Sequence, residues 1–273
     1  MFQLDRPRSR GASALAMLEL IFHAAVRHVR KSHGNALFGL LMNIVQTVML
    51  IVVFYTMMSI MGGRGSAIRG NFVLYVMSGV FMFMTHTKAL GAVSGSEGPT
   101  SPMMLHRPMN TIVAIASAAL SALYLQVLSA AVVLYVYHVA FTPITIYQPV
   151  QAMGMLLLSW ASGVGIGMIF LAAKPWAPDA FGLISQIYMR ANMIASGKMF
   201  VANAMPARIR GWFDWNPLFH TIDQGRGFIF LNYHPQHTSI SYPIQVTFVC
   251  IIVGLMAEFF TRQHISASWS AKR

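Results

Sequence analysis

The chain has 273 residues, of which 56% are hydrophobic and only 10% are charged. Soluble domains carry about 25% charged residues, so this composition excludes an ordinary soluble protein and predicts an all-α integral membrane protein. The net charge of +12 does not indicate a nucleic-acid partner, because most basic residues flank the apolar runs, as membrane topology signals do.

Residues 1–35 precede the first long apolar run, and within them residues 13–31 have the pattern of an amphipathic helix. A helix with one apolar and one basic face tends to lie in the cytoplasmic membrane interface, where we expect this one. The alternative is an ordinary helix that packs on its own protein. The apolar face holds Leu15, Leu18, Phe22, Val26 and Val29, and the polar face holds Glu19, His23, Arg27, Arg30 and Lys31.

Six apolar runs are long enough to cross a bilayer, which takes about 20 residues in a helix. The fifth run is the most polar, because it contains Arg190, Asn192 and Lys198. We predict a transmembrane domain of residues 36–262, followed by a cytoplasmic tail of residues 263–273. The predicted spans are residues 36–61, 71–92, 111–138, 151–172, 181–203 and 243–261.

The distribution of basic residues predicts the orientation of these spans. Six spans place both termini on the same side of the membrane. With the termini in the cytoplasm, the inner segments and the inner end of span two, where Lys88 lies, hold twelve Lys and Arg residues, and the outer segments hold five. Because inner loops carry the excess of basic residues, both termini are predicted to be cytoplasmic.

The predicted cytoplasmic loop between spans two and three, VSGSEGPTSPMMLHRPMN, covers residues 93–110. Its glycines and prolines exclude a long helix, but a short helix over residues 101–106 would fit. The loop is longer than adjacent spans require, which makes it a candidate docking element. A simple connector is the alternative.

The fifth span carries the polar residues that most suggest a transport path. Arg190 falls near its middle, where an arginine costs at least about 2.5–3.5 kcal/mol on insertion scales. We therefore expect it to face the bundle interior, a water-filled cavity or a partner subunit. A structural role, locking helices together, is the alternative. Tyr188, Asn192 and Lys198 accompany it.

The predicted outer segment, residues 203–242, is long, aromatic and broken by Asn216-Pro217. This pattern predicts two short re-entrant helices that dip into the outer leaflet, with their irregular backbone buried in protein. Asp223 and Arg226 could pair with each other or across a dimer. The aromatic residues could anchor in the membrane interface or stack on sugar rings.

Neither catalysis nor metal binding is indicated by the sequence. The seven acidic residues are scattered, and no pattern of a nucleotide-binding P-loop occurs. The pair His234 and His237 lacks further ligands at suitable spacing and predicts a surface turn. We therefore expect no cofactor on this chain and no enzyme activity.

Three stretches resemble the permeases of ABC-2 type exporters, in the branch that exports capsular polysaccharide and O-antigen. They are HRPMNTIVA at residues 106–114, the region from Lys174-Pro175 through YMRANMIASGKMF, and MPARIRGWFDWNPLFHTIDQGRGF. The third is similar to the family pattern P-x(8)-W-N-P-L-x-H-x-x-E-x-x-R. The matching residues are Pro206, Trp215, Asn216, Pro217, Leu218, His220, Asp223 and Arg226.

The sequence also departs from the family pattern at two places. An Asp stands where the family usually has Glu, which keeps the charge. The stretch HGNALFGLLMNIV lacks the Leu-Gly-x-x-Trp that usually opens the first span of the family.

The resemblance implies half of a transporter in the bacterial inner membrane. Two copies pair around a central path, and two copies of an ABC ATPase, which hold ATP and Mg, dock below. The cargo is lipid-linked polysaccharide, which periplasmic and outer-membrane export components would carry onward. The alternatives are an ABC-2 exporter of a small molecule or lipid and, as a weaker one, a membrane enzyme acting on lipid-linked sugars.

Three sets of site residues follow from the resemblance and the polar pattern together. The residues that couple to the ATPase are Glu97, Ser101, Met103, Met104, Leu105, His106 and Arg107. The candidates for the substrate path are Tyr188, Arg190, Asn192, Lys198 and Phe200. The outer re-entrant segment contributes Trp212, Trp215, Asn216, Pro217, Phe219, His220, Asp223 and Arg226. Membrane lipid is an expected further partner.

Overall fold

The structure, a computed structural model, describes residues 10–31, 36–60, 68, 70–96 and 111–264, with α1 side chains given for residues 17–27. The described part is helical and contains no strand. Its helices are α1 Arg10–Lys31, α2 Ala36–Ile60, α3 Phe72–Ser94, α4 Thr111–Ala140, α5 Pro149–Ala173, α6 Pro178–Ala195, α7 Ala207–Arg210, α8 Pro217–Ile229 and α9 Ser241–His264. A short 3₁₀ helix covers Ala202–Ala204.

Five of the described helices are long and apolar enough to cross a membrane: α2, α3, α4, α5 and α9. They coincide within a few residues with the predicted runs 36–61, 71–92, 111–138, 151–172 and 243–261. The chain is therefore an all-α, membrane-embedded type of protein.

The predicted fifth span, residues 181–203, is wrong in its last eight residues. The helix α6 ends at Ala195, and Gly197 follows with a φ of 63° in the left-handed region. Glycine adopts that conformation without a steric cost, so it ends the helix. At 18 residues, with Asp179, Gln186 and Arg190 among them, α6 is less apolar than the five helices above.

Residues at the helix starts explain where several helices begin. The Asn71 side chain accepts hydrogen bonds from the backbone N–H groups of Val73 and Leu74 at the start of α3. Proline occupies the first turn of α5, α6 and α8, where its fixed φ suits the helix and its missing N–H is not needed.

The helix α3 lies at the centre of the bundle and packs against α2, α4, α5 and α8. Most of its side chains are buried, whereas α2 and α9 expose much of their surface. Close approach of α3 to α5 depends on Gly163, since a Cβ there would lie 2.3 Å from the backbone oxygen of His86. The long parallel contact of α5 with α9, in which Gly165 lies beside Cys250 and Ala172 beside Thr261, completes the bundle.

The helix α1 confirms the helical prediction for residues 13–31 and begins three residues earlier. It packs against α4, so the alternative of a helix that packs on its own protein holds for that contact. Leu18, Phe22 and Val26, on the predicted apolar face, remain exposed, whereas Met17 and Ile21 are half-buried. The prediction that α1 lies in the membrane interface depends on this exposed apolar stripe.

Candidate functional site

Residues 203–242, the predicted outer segment, contain several fully buried polar side chains. Within it, α8 packs against α3, α5 and α9, and ten of its 13 residues are buried. The Ser159 hydroxyl donates a 3.0 Å hydrogen bond to the hydroxyl oxygen of Thr221, in the second turn of α8. Ser159 is the eleventh of the 25 residues of α5, so α8 begins near the midpoint of that helix.

The C-terminal end of α8 lies beside the start of α5. The backbone N–H groups of Tyr147 and Gln148 donate to the oxygens of Ile229 and Phe228, at 3.2 and 2.8 Å. The 13 residues of α8 therefore run from the middle of the bundle to one end of it. At a rise of 1.5 Å per residue, this is about 20 Å.

Asn216 holds the inner end of α8. Its side-chain oxygen accepts from the backbone N–H of Leu218 at 3.0 Å, which caps the helix. Its amide donates to the side-chain oxygen of Asn192, at 2.7 Å, and to the backbone oxygen of Ala195, at 2.9 Å. One fully buried side chain thus joins α8 to the end of α6.

Asp223 is 1% exposed and is held by three donors. The hydroxyls of Tyr233 and Thr238 and the backbone N–H of Ala202 donate to its carboxylate oxygens. A buried carboxylate is tolerated only when such bonds replace its lost hydration. Burial, together with the neighbouring Asp223 charge, raises the pKa of Tyr233, so its phenol stays protonated and keeps donating.

Arg226 is fully buried and forms a second set of contacts. Its guanidinium donates to the backbone oxygens of Lys198 and Phe200 and lies 4.1 Å from the ring centroid of Tyr75. In the described chain, Asp223 and Arg226 form no ion pair with each other. The predicted pairing of these residues is therefore wrong, and burial inside one chain also excludes a pair across a dimer.

His220 is held by hydrogen bonds at both of its ring nitrogens. The backbone N–H of Ser239 donates to its Nδ1 at 3.2 Å, so Nδ1 is an acceptor. Its Nε2 lies 2.8 Å from the backbone oxygen of Asp214 and donates to it. Both ring nitrogens therefore have backbone partners, which fix the orientation of the ring. It also packs against Tyr242, with ring centroids 4.7 Å apart.

The aromatic residues of the outer segment differ in burial, and Phe213, Phe228 and Tyr242 are half-buried. Phe219, Phe230 and Tyr233 are buried and belong to the packing of the chain. Trp212 and Trp215 are 77% and 58% exposed, which leaves their indole rings available at the surface. These two rings have the largest exposed surface for membrane anchoring or sugar stacking among the aromatic residues of this segment.

The predicted substrate-path residues do not share one surface. Arg190 is exposed, so it does not face the interior of the single chain, whereas Asn192 is buried. Tyr188 lies between the rings of His86 and Phe170.

Lys198 lies apart from Arg190, inside the bundle. Its amine is 3.3 Å from the ring centroid of Phe83 and 4.4 Å from that of Phe54, and it has no hydrogen-bond partner. The sequence placed both residues on one polar stripe, but the chain turns inward after α6. Phe200, 42% exposed, packs edge-on against Phe213.

A polar cluster between α2 and α4 was not predicted. The Asn43 amide donates to the hydroxyl oxygen of Ser129 at 2.8 Å and to the side-chain oxygen of Gln126 at 3.3 Å. Nearby, Lys88 donates to Gln46 at 2.6 Å. The signal was present in the sequence: single polar residues interrupt three of the apolar runs, and Asn43 and Gln46 are one helical turn apart.

Some predicted sites cannot be placed. The coupling residues, from Glu97 to Arg107, lie outside the described residues. Among residues that are described, no group of three or more His, Cys, Asp and Glu side chains could hold a metal ion. No protein-family model and no curated protein matches the chain.

Proposed function

We propose that this chain is the membrane-spanning subunit of an ATP-driven exporter that moves lipid-linked polysaccharide, capsular or another surface polymer, out across the bacterial inner membrane. The proposal rests on the positions of the residues that match the exporter pattern. Asn216, His220, Asp223 and Arg226, which match the exporter pattern, supply the bonds that hold α8 deep in the bundle. The resemblance therefore falls on residues with a defined structural task.

In this proposal α6 is a sixth span and both termini are cytoplasmic. The 18 residues of α6 measure about 27 Å, close to the thickness of the hydrocarbon core. The helix α8, at about 20 Å, is too short to span. Its position supports a re-entrant arrangement, in which α7 and α8 enter from the outer side and the chain returns to that side before α9.

A second copy of the chain would cover the exposed face of α6. Leu183, Ile187 and Ile194 are exposed there at spacings of three or four, with Arg190 among them. An arginine facing lipid at this depth is costly, whereas a polar path between two copies would accommodate it. The proposed path for anionic lipid or sugar groups therefore runs between two α6 helices.

In this proposal the energy for transport comes from two copies of a separate ATPase, which binds ATP and Mg. They would press on the segment that contains residues 97–107 and move α3, to which that segment is joined. Because the Arg226 guanidinium lies against Tyr75 of α3, such a movement would reach the outer segment. Spans α2, α3 and α6 would then shift to open the path.

The test uses cells of the source bacterium from which this chain is deleted. We expect polymer to accumulate inside the cells and surface polymer to return when the wild-type chain is restored. Arg190→Leu should restore little surface polymer, whereas Arg208→Leu, at an exposed residue of α7, should restore all of it. Undiminished surface polymer in the deletion strain would contradict the export function.

A further inference from the structure

Two cavities lie beside α2, and α3 and α4 contribute to the walls of both. One, the polar cavity, has a volume of about 540 Å³ and borders α2 between residues 39 and 46. The other, the apolar cavity, has a volume of about 480 Å³ and borders α2 between residues 44 and 55. On α3 and on α4, the residues that line the two cavities fall on the same side of the helix. The groove between α3 and α4 is therefore continuous, and α2 crosses it.

The two cavities border opposite faces of α2. Met42 and Gln46 line the polar cavity, whereas Ile51 and Tyr55 line the apolar one. In a helix of 3.6 residues per turn, these two pairs point in opposite directions. The Ala36 end of α2 thus has free volume on one side, and the Ile60 end has free volume on the other.

Between the two cavities, α2 is held at a polar contact. The Asn43 amide donates to the hydroxyl oxygen of Ser129 at 2.8 Å and to the side-chain oxygen of Gln126 at 3.3 Å. It also lies 3.3 Å from the backbone oxygen of Leu125, as a further acceptor. Thr47, one helical turn after Asn43, is fully buried. This contact fixes the middle of α2 against α4.

The rest of α2 is loosely held. Most of its described side chains are exposed or half-buried, and the buried ones form a single row at spacings of three or four: Gly39, Asn43, Thr47, Ile51 and Phe54. The contacts of Ile51 and Phe54 are apolar and have no fixed direction, so they allow a small sliding movement. The bond from Lys88 to Gln46, at 2.6 Å, joins two long side chains that can follow such a movement.

We propose that α2 tilts about the Asn43 contact as a lever, and that one tilt closes both cavities. The cavities lie on either side of the contact and on opposite faces of the helix. A movement of the Ala36 end into the polar cavity therefore carries the Ile60 end into the apolar cavity. The inference goes beyond the shift of α2 in the proposed function, because it states where the helix pivots. It is measured on this chain alone, without an ATPase or polymer.

The test asks whether filling the polar cavity prevents closure of the apolar one. Val52→Cys on α2 and Val136→Cys on α4 are placed on two walls of the apolar cavity, in a Cys250→Ala background of the purified full-length protein. A disulfide between them forms only when their Cα atoms come within about 7 Å. Gly91→Leu fills the polar cavity from a position where a Cβ meets no atom within 4 Å.

We expect Gly91→Leu to slow formation of this disulfide by at least about tenfold, because the tilted helix would be overpacked against the leucine. Gly154→Leu is the matched control, with equally open surroundings outside both cavities, and should leave the rate unchanged.

The converse experiment fills the apolar cavity and follows the polar one. Met42→Cys on α2 and Ala92→Cys on α3 line the polar cavity, and Val48→Phe enlarges a side chain that lines the apolar cavity. We expect the same slowing of the disulfide. Val45→Phe, at an exposed residue of α2 that lines neither cavity, should have no effect.

The pivot is tested by a double-mutant cycle with Asn43→Ala, which removes the polar contact. Without that contact the two ends of α2 move independently, so Gly91→Leu should slow the disulfide across the apolar cavity by about twofold at most. An effect of Gly91→Leu as large as with Asn43 in place would refute the pivot.

Loss of free thiols, counted by mass spectrometry after maleimide labelling, gives the rates, and circular dichroism confirms the fold of each variant. Rates that neither Gly91→Leu nor Val48→Phe changes would overturn the proposal, because the ends of α2 would then move separately. Absence of disulfide in both cysteine pairs would overturn it as well. Should one filling variant not fold, the experiment with the other decides alone.

Discussion

Two opposite charges lie one helical turn apart on α8, and each bonds to a different set of groups. Arg226 bonds to the backbone at Lys198 and Phe200, while Asp223 bonds to Ala202, Tyr233 and Thr238. Both therefore hold irregular segments that flank α8. Buried charge is used here to fix the course of the backbone.

Arg226→Gln should lower the free energy of unfolding by about 2–5 kcal/mol, because two buried backbone oxygens lose a charged donor at about 1–3 kcal/mol each. Thermal unfolding of the purified protein measures the loss. Arg208→Gln, which removes an exposed arginine of α7, serves as the control and should unfold as the wild type does. Equal stability of the two variants would contradict the role of Arg226.

Tyr233 predicts a dependence of stability on pH. Its raised pKa means that the folded chain keeps the phenol proton at pH values where the unfolded chain, with a pKa of about 10, loses it. This contribution is complete below about pH 10 and is lost as the pH rises further. Melting temperatures between pH 9 and 11 should decline less steeply in Tyr233→Phe. An unchanged slope would show that Tyr233 does not titrate in this way.

The sequence identified the residues of this network but not their partners. Asp223 and Arg226 were visible as charges in an apolar context, so pairing was the simple interpretation. The actual partners of Arg226 are backbone oxygens and an aromatic ring. Every residue has a backbone oxygen, so the sequence does not indicate which of them bind the arginine. Lys198 was misplaced for a related reason, since its position depends on a backbone turn at Gly197.

At the scale of elements, Asn216 combines two tasks that substitutions can separate. Asn216→Ser keeps an oxygen for the cap but loses the amide bonds to α6, and Asn216→Ala loses both. We expect the serine variant to be more stable than the alanine variant by about 1 kcal/mol. Asn216→Asp should be the least stable, because it directs a buried carboxylate at two oxygen acceptors.

Melting curves of the three Asn216 variants and the wild type test this order. An Asp variant as stable as the wild type would mean that the bonds to Asn192 and Ala195 contribute nothing. Equal stability of the Ser and Ala variants would remove the capping role.

The contact of α3 with α5 gives a further prediction. Gly163→Ala must push the helices apart, because its Cβ would meet the backbone oxygen of His86, and overpacking of this kind costs about 1–3 kcal/mol. Gly154→Ala, in the same helix with open space around it, should be neutral or more stable by up to about 1 kcal/mol. Thermal unfolding compares the two, and identical melting temperatures would contradict the close contact.

The positions of helices could be predicted where the length of an apolar run in the sequence is sufficient to determine them. Five of the predicted runs match helices within three residues at either end. The fifth predicted run, residues 181–203, failed after Ala195. Met199, Phe200 and Val201 extend the apolar run in the sequence, although Gly197 has already ended the helix. The burial of α8 could not be predicted, since its polar residues resemble those of a surface segment until their partners are known.

At the scale of the whole molecule, the proposed pairing of two copies is tested at the exposed face of α6. In a Cys250→Ala background, Ile187→Cys should form disulfide-linked dimers in membranes, because the Cα atoms must come within about 7 Å. The control is Phe248→Cys, on the exposed face of α9. Non-reducing gels report the outcome, and cross-linking through α9 instead would move the dimer interface away from Arg190.

The embedding of α8 also fixes an order of assembly. Its neighbours α3 and α5 are synthesised before it, but α9 follows it in the chain. Because a ribosome synthesises the chain from its N-terminus, the side of α8 that contacts α9 stays uncovered until α9 has been synthesised. In a nascent chain that stops before Ser241, α8 with its charged residues lacks its contact with α9. Quality-control proteases would recognise that intermediate.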